Sequence, residues 1–500
     1  MKPKQIKAKT AQLRSSGGTA SHQRLTAILA VLAIATSLGG VRGPSTASAE
    51  ASSRPNIVLI LTDDQRWDSL WAMPAVQGNL VDRGVTFTNG FVVNSLCCPS
   101  RASILTGEYS HSTGVYRNGP PPYGGFSAFH DSSTLATWLQ GAGYRTALVG
   151  KYLNGYKRFT DGSYVPPGWD RWVALNFDGG GIYYNYELSI DGRLRSFGDQ
   201  PADYSTDVLA DYAVSFIRHT TSGPFFLYLA PSAPHGPAIP APRDAGTFSG
   251  LAPWRPPNYN ERDVSDKPAW VQARPSLTAG RKGHIDAFRQ RQYESLQAVD
   301  DAVAAIVREL RRSGRLRDTM IVFTSDNGLL WGEHRLTGKQ APYEESIRVP
   351  VVIRYDPLIA ASRRDRHHAL NIDFAPTFAK LAGVSAPGAE GRSLLPLLSG
   401  HATTWRKSFL VEHLGSKMPT FCQVRAHRYA YVQYRTGEEE LYDLNIDPYE
   451  LDNVGRDPVY EHVLGVLRAR LVKLCSPPPP GFTPMHQAGR LSGVRLSTAL

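Results

Sequence analysis

The chain has 500 residues, of which 42% are hydrophobic and 10% aromatic, so it can bury a large core and is not a disordered or low-complexity protein. This length predicts two domains. The formal net charge is +11, but the first 49 residues hold seven Lys or Arg and no acid, so the remaining chain carries only +4. A nucleic-acid-binding protein has a more concentrated basic surface, and we therefore predict no nucleic-acid partner.

The N-terminal segment, residues 1–49, has the pattern of a secretory signal peptide. Its basic residues are followed by an apolar run from Leu25 to Leu38 and by the small residues Ala47-Ser48-Ala49. This order predicts cleavage after Ala49 and a secreted or extracytoplasmic protein. The apolar run is shorter than the roughly 20 residues of a spanning helix, so we expect no stable membrane insertion.

Four runs of β-forming apolar residues then alternate with helical patterns. They are typical of strands buried on both faces and begin near Pro55, Tyr144, Phe225 and Met320. The alternation predicts an α/β sandwich with a large, mixed but mainly parallel sheet. A long amphipathic helix is predicted at 285–312, where Asp300 and Asp301 would belong to a solvated face.

The character of the chain changes near residue 399. The segments at 424–432 and 440–444 have the pattern of antiparallel strands, and a helix is predicted near 459–474. We therefore predict a main domain over residues 50–398 and a smaller α+β subdomain with an antiparallel sheet, followed by a tail, over 399–500. Cys422 and Cys475 lie in this smaller part, where an exported protein could join them in a disulfide worth about 4 kcal/mol; two separate buried thiols are the alternative.

Polar side chains follow the buried strands. Asp63 and Asp64 come after the first strand, and Asp326 and Asn327 come after the last. In open α/β sheets, ligands bind at the C-terminal ends of the strands. Oxygen ligands suit Ca²⁺ or Mg²⁺ and argue against zinc, so these four residues are candidate metal ligands.

The stretch from Ser95 to Gly107 contains the candidate nucleophile, Cys97. Pro99 suits the first turn of a helix, and Gly107 can end it. A helix N-terminus attracts anions and lowers the pKa of a cysteine, and Arg101 adds a cation one turn into the helix. The pattern indicates a place where a nucleophile and an oxyanion can meet.

The order Cys97-Cys98-Pro99-Ser100-Arg101, continued by Leu105-Thr106-Gly107, resembles the signature of the type I sulfatases. The resemblance implies that a formylglycine-generating enzyme oxidises Cys97 to formylglycine, that the hydrated aldehyde is the nucleophile, and that residue 97 also contacts the metal. The segments that end in Asp64 and Asn327 are similar to the two metal-binding motifs of this family, whose cation is usually Ca²⁺, with Mg²⁺ as an alternative. The implied fold is alkaline-phosphatase-like, with residues 50–398 as the catalytic domain.

Three further motif matches imply contacts with the sulfate group. Lys151 lies in a G-K motif, His235 follows Pro234, and Lys339 also follows a glycine in a matching segment. Together with Arg101, the lysines would hold the sulfate oxygens and make sulfur electrophilic. His235 or Lys339 would protonate the leaving oxygen, and Asp326 would help to deprotonate the attacking hydroxyl.

Finer motifs are similar to those of N-acetylglucosamine-6-sulfatases. They are the segments at 150–154, 166–170 and 183–186. The first departs from the commonest family form, which has a histidine where this chain has Leu153, and Asn154 is a candidate substitute. We therefore predict a sulfuric ester hydrolase acting on a sulfated small molecule or sulfated glycan, with glucosamine 6-sulfate esters as one candidate substrate class.

Three alternatives remain open from the sequence. An arylsulfatase of broad specificity would prefer aryl esters, and a phosphodiesterase or phosphonate hydrolase of the same superfamily would share the metal site. A non-catalytic glycan-binding protein would bind sulfated sugar without releasing sulfate, and the intact nucleophile and metal motifs argue against it. His111 and His334 are candidate pocket residues to which the sequence gives no role.

Overall fold

The computed structural model describes residues 54–178, 182–401, 403–415 and 418–485, so the predicted signal peptide lies outside the described residues. The strands are β1 Asn56–Thr62, β2 Val85–Phe91, β3 Arg145–Gly150, β4 Arg171–Leu175, β5 Tyr186–Ile190, β6 Arg193–Phe197, β7 Phe225–Ala230, β8 Thr319–Ser325, β9 Leu330–Trp331, β10 Thr337–Gly338, β11 Val351–Arg354, β12 Arg363–Leu370, β13 Ser408–His413, β14 Phe421–Ala426, β15 Tyr429–Tyr434 and β16 Glu439–Asp443. The helices are α1 Pro74–Asn79, α2 Cys97–Thr106, α3 Ser110–Thr113, α4 Leu135–Gly141, α5 Tyr156–Thr160, α6 Ser205–His219, α7 Ala269–Gln272, α8 Ala279–Arg312, α9 Glu344–Ile347, α10 Phe374–Ala382, α11 Leu395–Leu398 and α12 Glu461–Leu474.

The four predicted strands are neighbours in one ten-stranded sheet, in the order β8-β1-β7-β3, and all run parallel. Strands β11, β5 and β6 pair antiparallel with their neighbours, which makes the sheet mixed. Alternate residues of β1 point to opposite faces: Val58 packs in an apolar cluster with α6 and α8, and Leu59 packs in one with α2, α4 and α10. The predicted α/β sandwich is therefore confirmed.

The smaller part of the chain contains a four-stranded antiparallel sheet, β13-β14-β15-β16. Helix α12 covers it through Leu464, Leu467 and Leu471. A disulfide joins Cys422 on β14 to Cys475 just beyond α12, so the paired alternative is the correct one. The predicted domain boundary after residue 398 stays a prediction.

One prediction about the long helix was wrong. Asp300 is buried. Its carboxylate accepts hydrogen bonds from the backbone N–H groups of Ala75 and Val76 in the first turn of α1, at 2.7 and 2.8 Å. Asp301 is exposed, as expected. Within the described ranges, no helix has the length and apolar character of a membrane span.

Candidate active site

The N-terminus of α2 places Cys97 at the centre of the site. The helix begins at Cys97 and ends at Gly107, whose φ of +78° is the left-handed conformation that favours glycine. Cys97 is completely buried. The backbone N–H of Cys98 donates to the Asn118 Oδ1 at 2.9 Å, which uses one of the N–H groups that an α-helix leaves free at its start.

The candidate metal ligands come together because β1 and β8 are paired in register. Thr62 lies beside Ser325, so the residues that follow the two strands are adjacent. The backbone N–H of Asp64 donates to Asp326 Oδ1 at 3.2 Å, and Asn327 Nδ2 donates to Asp64 Oδ1 at 2.6 Å. Asp63, Asp64, Asp326 and Asn327 are all buried.

The two candidate lysines reach this group from different elements. Lys151, just after β3, forms an ion pair with Asp63, and Lys339, just after β10, forms one with Asp64. The Nζ of Lys339 also lies 2.7 Å from Cys97 Sγ, which is 3.5 Å from Asp63 Oδ1. Both lysines therefore face the nucleophile position.

His235 lies near the second carboxylate oxygen of Asp64, Oδ2, whereas Lys339 and Asn327 contact Oδ1. Its Nε2 is 3.6 Å from Asp64 Oδ2, and its Nδ1 is 2.7 Å from the carbonyl oxygen of Gly236. The Tyr183 hydroxyl donates to the carbonyl of His235 at 2.6 Å and holds the loop in place. The sequence did not identify His235 as a neighbour of the metal-ligand carboxylates.

Arg101 is engaged within the protein. Its Nε donates to Asp326 Oδ2 and its Nη1 to the carbonyl of Lys151, both at 2.8 Å, and the side chain is fully buried. Nη2 is 3.7 Å from Asp63 Oδ2 and has no hydrogen-bond partner in the described part of the chain. Arg101 thus fixes Asp326 and leaves its Nη2 available to the site.

The pKa of the Asp63 carboxyl and the pKa of the Cys97 thiol are shifted in opposite directions. Burial raises the pKa of Asp63, but Lys151, His235 and Arg101 outweigh it and lower this pKa to about 2. Burial and the nearby Asp63 raise the pKa of Cys97 to about 12. The expectation that the helix N-terminus would lower this pKa was therefore wrong, because desolvation of a thiolate outweighs the helix dipole here.

The donor set fits a divalent cation. Ligand atoms of Asp63, Asp64, Cys97 and His235 lie within 4.8 Å of one another. Asn327 adds a buried Oδ1 that accepts no hydrogen bond from the described residues. An unpaired amide oxygen beside three carboxylates matches the oxygen-rich coordination of Ca²⁺ or Mg²⁺.

The sequence assigned no individual role to some residues that shape the site. The ring centroid of Phe177 lies 5.6 Å from Lys151 Nζ, so the ammonium group faces an aromatic ring. Asn118 and Tyr183 act through single hydrogen bonds to backbone groups. Such contacts join distant segments and have no fixed spacing in the chain. Of the two unassigned histidines, His111 has its Nδ1 3.1 Å from Glu412 Oε1. His334 is buried, and its Nδ1 lies 2.6 Å from Glu261 Oε2.

Comparison with known proteins assigns the family. The sulfatase family model matches residues 55–384. The chain belongs to the sulfatase family. A second model, N-sulphoglucosamine sulphohydrolase, C-terminal, matches residues 332–476 of this sulfatase. The predicted family membership is therefore confirmed.

Two relatives illustrate the range of the family. The N-acetylglucosamine-6-sulfatase of Capra hircus is 34% identical over 491 residues, which cover 88% of this chain and 87% of the goat protein. The extracellular sulfatase SULF-1 homolog of Drosophila melanogaster is 37% identical over 381 residues, which cover 73% of this chain but 33% of that protein. This sulfatase thus spans about a third of the length of the fly relative.

Solved structures agree with the predicted alkaline-phosphatase-like architecture. A protein in complex with its substrate, D-glucosamine-2-N,6-O-disulfate, has a TM-score of 0.76 and 26% identity, with 86% of this chain and 99% of that chain covered. The phosphonate monoester hydrolase of Agrobacterium radiobacter has a TM-score of 0.68 and 24% identity, with 85% and 96% covered. The second similarity concerns the fold alone.

Proposed function

We propose that this sulfatase hydrolyses sulfate esters at the N-terminus of α2, with residue 97 acting as formylglycine. The observation that carries the proposal is the position of Cys97 Sγ, which lies 2.7 Å from Lys339 Nζ and 3.5 Å from Asp63 Oδ1. Burial raises the pKa of the Cys97 thiol, which disfavours a thiolate as the nucleophile here. Formylglycine, when present, supplies a hydrated aldehyde in place of the thiol.

The charged side chains around residue 97 have separate tasks in this proposal. Lys151 and Lys339 bind the sulfate oxygens, because both ammonium groups face the nucleophile position and both are held there by carboxylates. Arg101 positions Asp326, which accepts its Nε–H at 2.8 Å. His235 is one fifth exposed, whereas the carboxylates are buried, so it is the group that can reach a leaving alcohol oxygen.

A divalent cation, Ca²⁺ with Mg²⁺ as the alternative, would be held by Asp63, Asp64, Asp326, Asn327 and residue 97. When bound it supplies positive charge that polarises the sulfate group. The buried, unpartnered Asn327 Oδ1 and the three converging carboxylates support this assignment.

For the substrate, we propose a 6-sulfated glucosamine unit of a small molecule or glycan. The name of the goat relative and the substrate of the solved complex support this choice. We further propose that the protein acts outside the cytoplasm, after a formylglycine-generating enzyme has converted residue 97. The N-terminal signal pattern and the extracellular relatives support this location.

The test is release of inorganic sulfate, measured by ion chromatography, from protein made in a host that forms formylglycine. We expect release from glucosamine 6-sulfate that Cys97→Ala abolishes. Cys98→Ala is the matched control, because Cys98 is an equally buried neighbour that packs in the apolar cluster and should leave turnover intact. Undiminished release by Cys97→Ala would contradict the proposal.

The same assay separates the alternatives. An arylsulfatase would hydrolyse aryl sulfates much faster than glucosamine 6-sulfate. Turnover of phosphonate or phosphodiester model substrates without turnover of any sulfate ester would favour the phosphonate hydrolase reading and reject ours. Binding of sulfated sugar without sulfate release would favour a glycan-binding protein.

A further inference from the structure

A second group of potential metal ligands lies away from the catalytic carboxylates. Ligand atoms of His334, Glu345 and Glu450 lie within 4.8 Å of one another, and all three residues are buried. His334 and Glu345 flank the segment that carries Lys339, whereas Glu450 follows β16 in the smaller part of the chain. The group therefore joins two distant parts of the sequence.

His334 is oriented as a metal-binding histidine is. Its Nδ1 is 2.6 Å from Glu261 Oε2, and Glu261 in turn pairs with Lys267 at 3.3 Å. A carboxylate that accepts the Nδ1–H of a histidine fixes the tautomer in which Nε2 carries a free lone pair. Nε2 is the ring nitrogen that does not contact Glu261, and its neighbour at 3.3 Å is Asn258 Nδ2.

The charges of the neighbouring residues do not neutralise Glu345 and Glu450. Glu344 pairs with Arg425 at 2.6 Å, and Glu333 pairs with Arg66 at 2.8 Å. Within the described residues, Glu345 and Glu450 form no ion pair. Two buried carboxylates without a cation are costly unless they are protonated or bind a metal.

Two unpartnered oxygen atoms point to an absent ligand. Asn258 is completely buried, and its Nδ2 lies 3.3 Å from His334 Nε2 and 2.9 Å from Glu345 Oε1. Yet the Oδ1 of Asn258 and the Oε2 of Glu345 accept no hydrogen bond from any described residue. Buried polar atoms are normally paired with a protein group, an ordered water or an ion, so both oxygens have a lone pair available to a ligand.

We propose that His334, Glu345 and Glu450 bind a second, structural divalent metal ion of the first transition row, next to the amide of Asn258. One imidazole nitrogen with carboxylate oxygens is a ligand set that suits Zn²⁺ or Mn²⁺. The +2 charge balances the two unpaired glutamates. The proposal does not depend on the reaction that the catalytic residues perform.

A metal at this site would also restrain the residues next to Asn327. The backbone of Glu345 lies so close to Gly328 that a Cβ there would be 2.2 Å from the Glu345 carbonyl oxygen, and Gly328 directly follows Asn327. The N–H of Gly328 also donates to the carbonyl of Ser346 at 2.9 Å. A metal that fixes Glu345 therefore also fixes Asn327 and the segment that carries Lys339.

The direct test is anomalous diffraction from crystals of the wild-type protein grown with Zn²⁺, measured on both sides of the zinc absorption edge. We expect a peak enclosed by His334, Glu345 and Glu450, with ligand distances of about 2.0–2.2 Å. A zinc peak only at the catalytic carboxylates, with none in this group, would overturn the proposal.

A second test measures the metal content of variants that keep the side-chain shape. The protein is stripped with EDTA, reloaded with Zn²⁺ in excess Ca²⁺, and analysed by mass spectrometry of the elements. Glu450→Gln should hold one zinc less per chain than the wild type, and its melting temperature should no longer rise with Zn²⁺. Glu440→Gln is the matched control: Glu440 is also buried, but its carboxylate is bound by tyrosine hydroxyls of Tyr343 and Tyr442.

Equal zinc content in the wild type and in Glu450→Gln would refute the site and assign the charge balance to a proton shared by Glu345 and Glu450. If Glu450→Gln does not fold, the diffraction experiment on the wild-type protein decides alone.

Discussion

Replacing Arg101 by methionine should destabilise the metal-free protein by about 3–5 kcal/mol, the range expected when one partner of a buried ion pair is removed. The guanidinium donates to Asp326 and to the Lys151 carbonyl, each at 2.8 Å, and lies 3.7 Å from Asp63. All of these side chains are completely buried. Methionine fills the volume of the arginine stem but leaves Asp326 without its cation.

The loss can be measured by urea unfolding in EDTA at neutral pH, followed by tryptophan fluorescence, from the shift in midpoint at constant slope. Arg354→Met is the matched control. Arg354 also donates to a carboxylate, Asp356, at 2.8 Å and to a backbone carbonyl, that of Asn79, at 3.0 Å, but Asp356 is 32% exposed. A solvated pair of this kind contributes about 1 kcal/mol or less. If Arg101→Met loses no more stability than Arg354→Met, the assignment of Arg101 as the residue that holds Asp326 is refuted.

Three other predictions concern the proposed role of Lys339, the disulfide and pH. Lys339→Met should lower kcat on an aryl sulfate about 10²–10³-fold, as expected for removal of one transition-state contact. Replacement of the exposed Lys380 by methionine should leave kcat unchanged. A loss below tenfold for Lys339→Met would contradict a contact between Lys339 and the sulfate group. Replacing both Cys422 and Cys475 by alanine should cost about 4 kcal/mol in urea unfolding, because the bridge spans 53 residues, and a loss below about 1 kcal/mol would contradict this estimate. Asp63 has its folded pKa lowered to about 2 from 3.8, since Lys151, His235 and Arg101 outweigh the effect of burial. Its contribution of about 2 kcal/mol to the free energy of unfolding of the metal-free protein should therefore be present above pH 4 and lost as the pH falls toward 2. Asp63→Asn should remove that part of the pH dependence of stability. A stability profile unchanged by Asp63→Asn would argue against this contribution.

Much of the site could be predicted because it depends on two local signals. Apolar runs identify β1, β3, β7 and β8, and the parallel order of these strands brings the residues after them to one edge. The helix that begins at Cys97 was predictable from Pro99 and Gly107. Each of these signals consists of residues that are close together in the chain.

The rest depends on contacts between distant segments. The carboxylate of Asp300 pairs with α1, more than 200 residues earlier, and the partners of Arg101 come from the residues just after β8 and just after β3. The group of His334, Glu345 and Glu450 has no recognisable spacing. The pKa of Cys97 was misjudged because a helix start indicates the dipole but not the depth of burial.

We propose residue 97 as the nucleophile of a sulfate ester hydrolase. The decisive measurement is peptide mass spectrometry of the protein from its native host, read on the fragment that contains residues 97 and 98. We expect an aldehyde in place of the thiol at Cys97 and an unmodified thiol at Cys98. An unmodified Cys97 in protein that releases sulfate would contradict it.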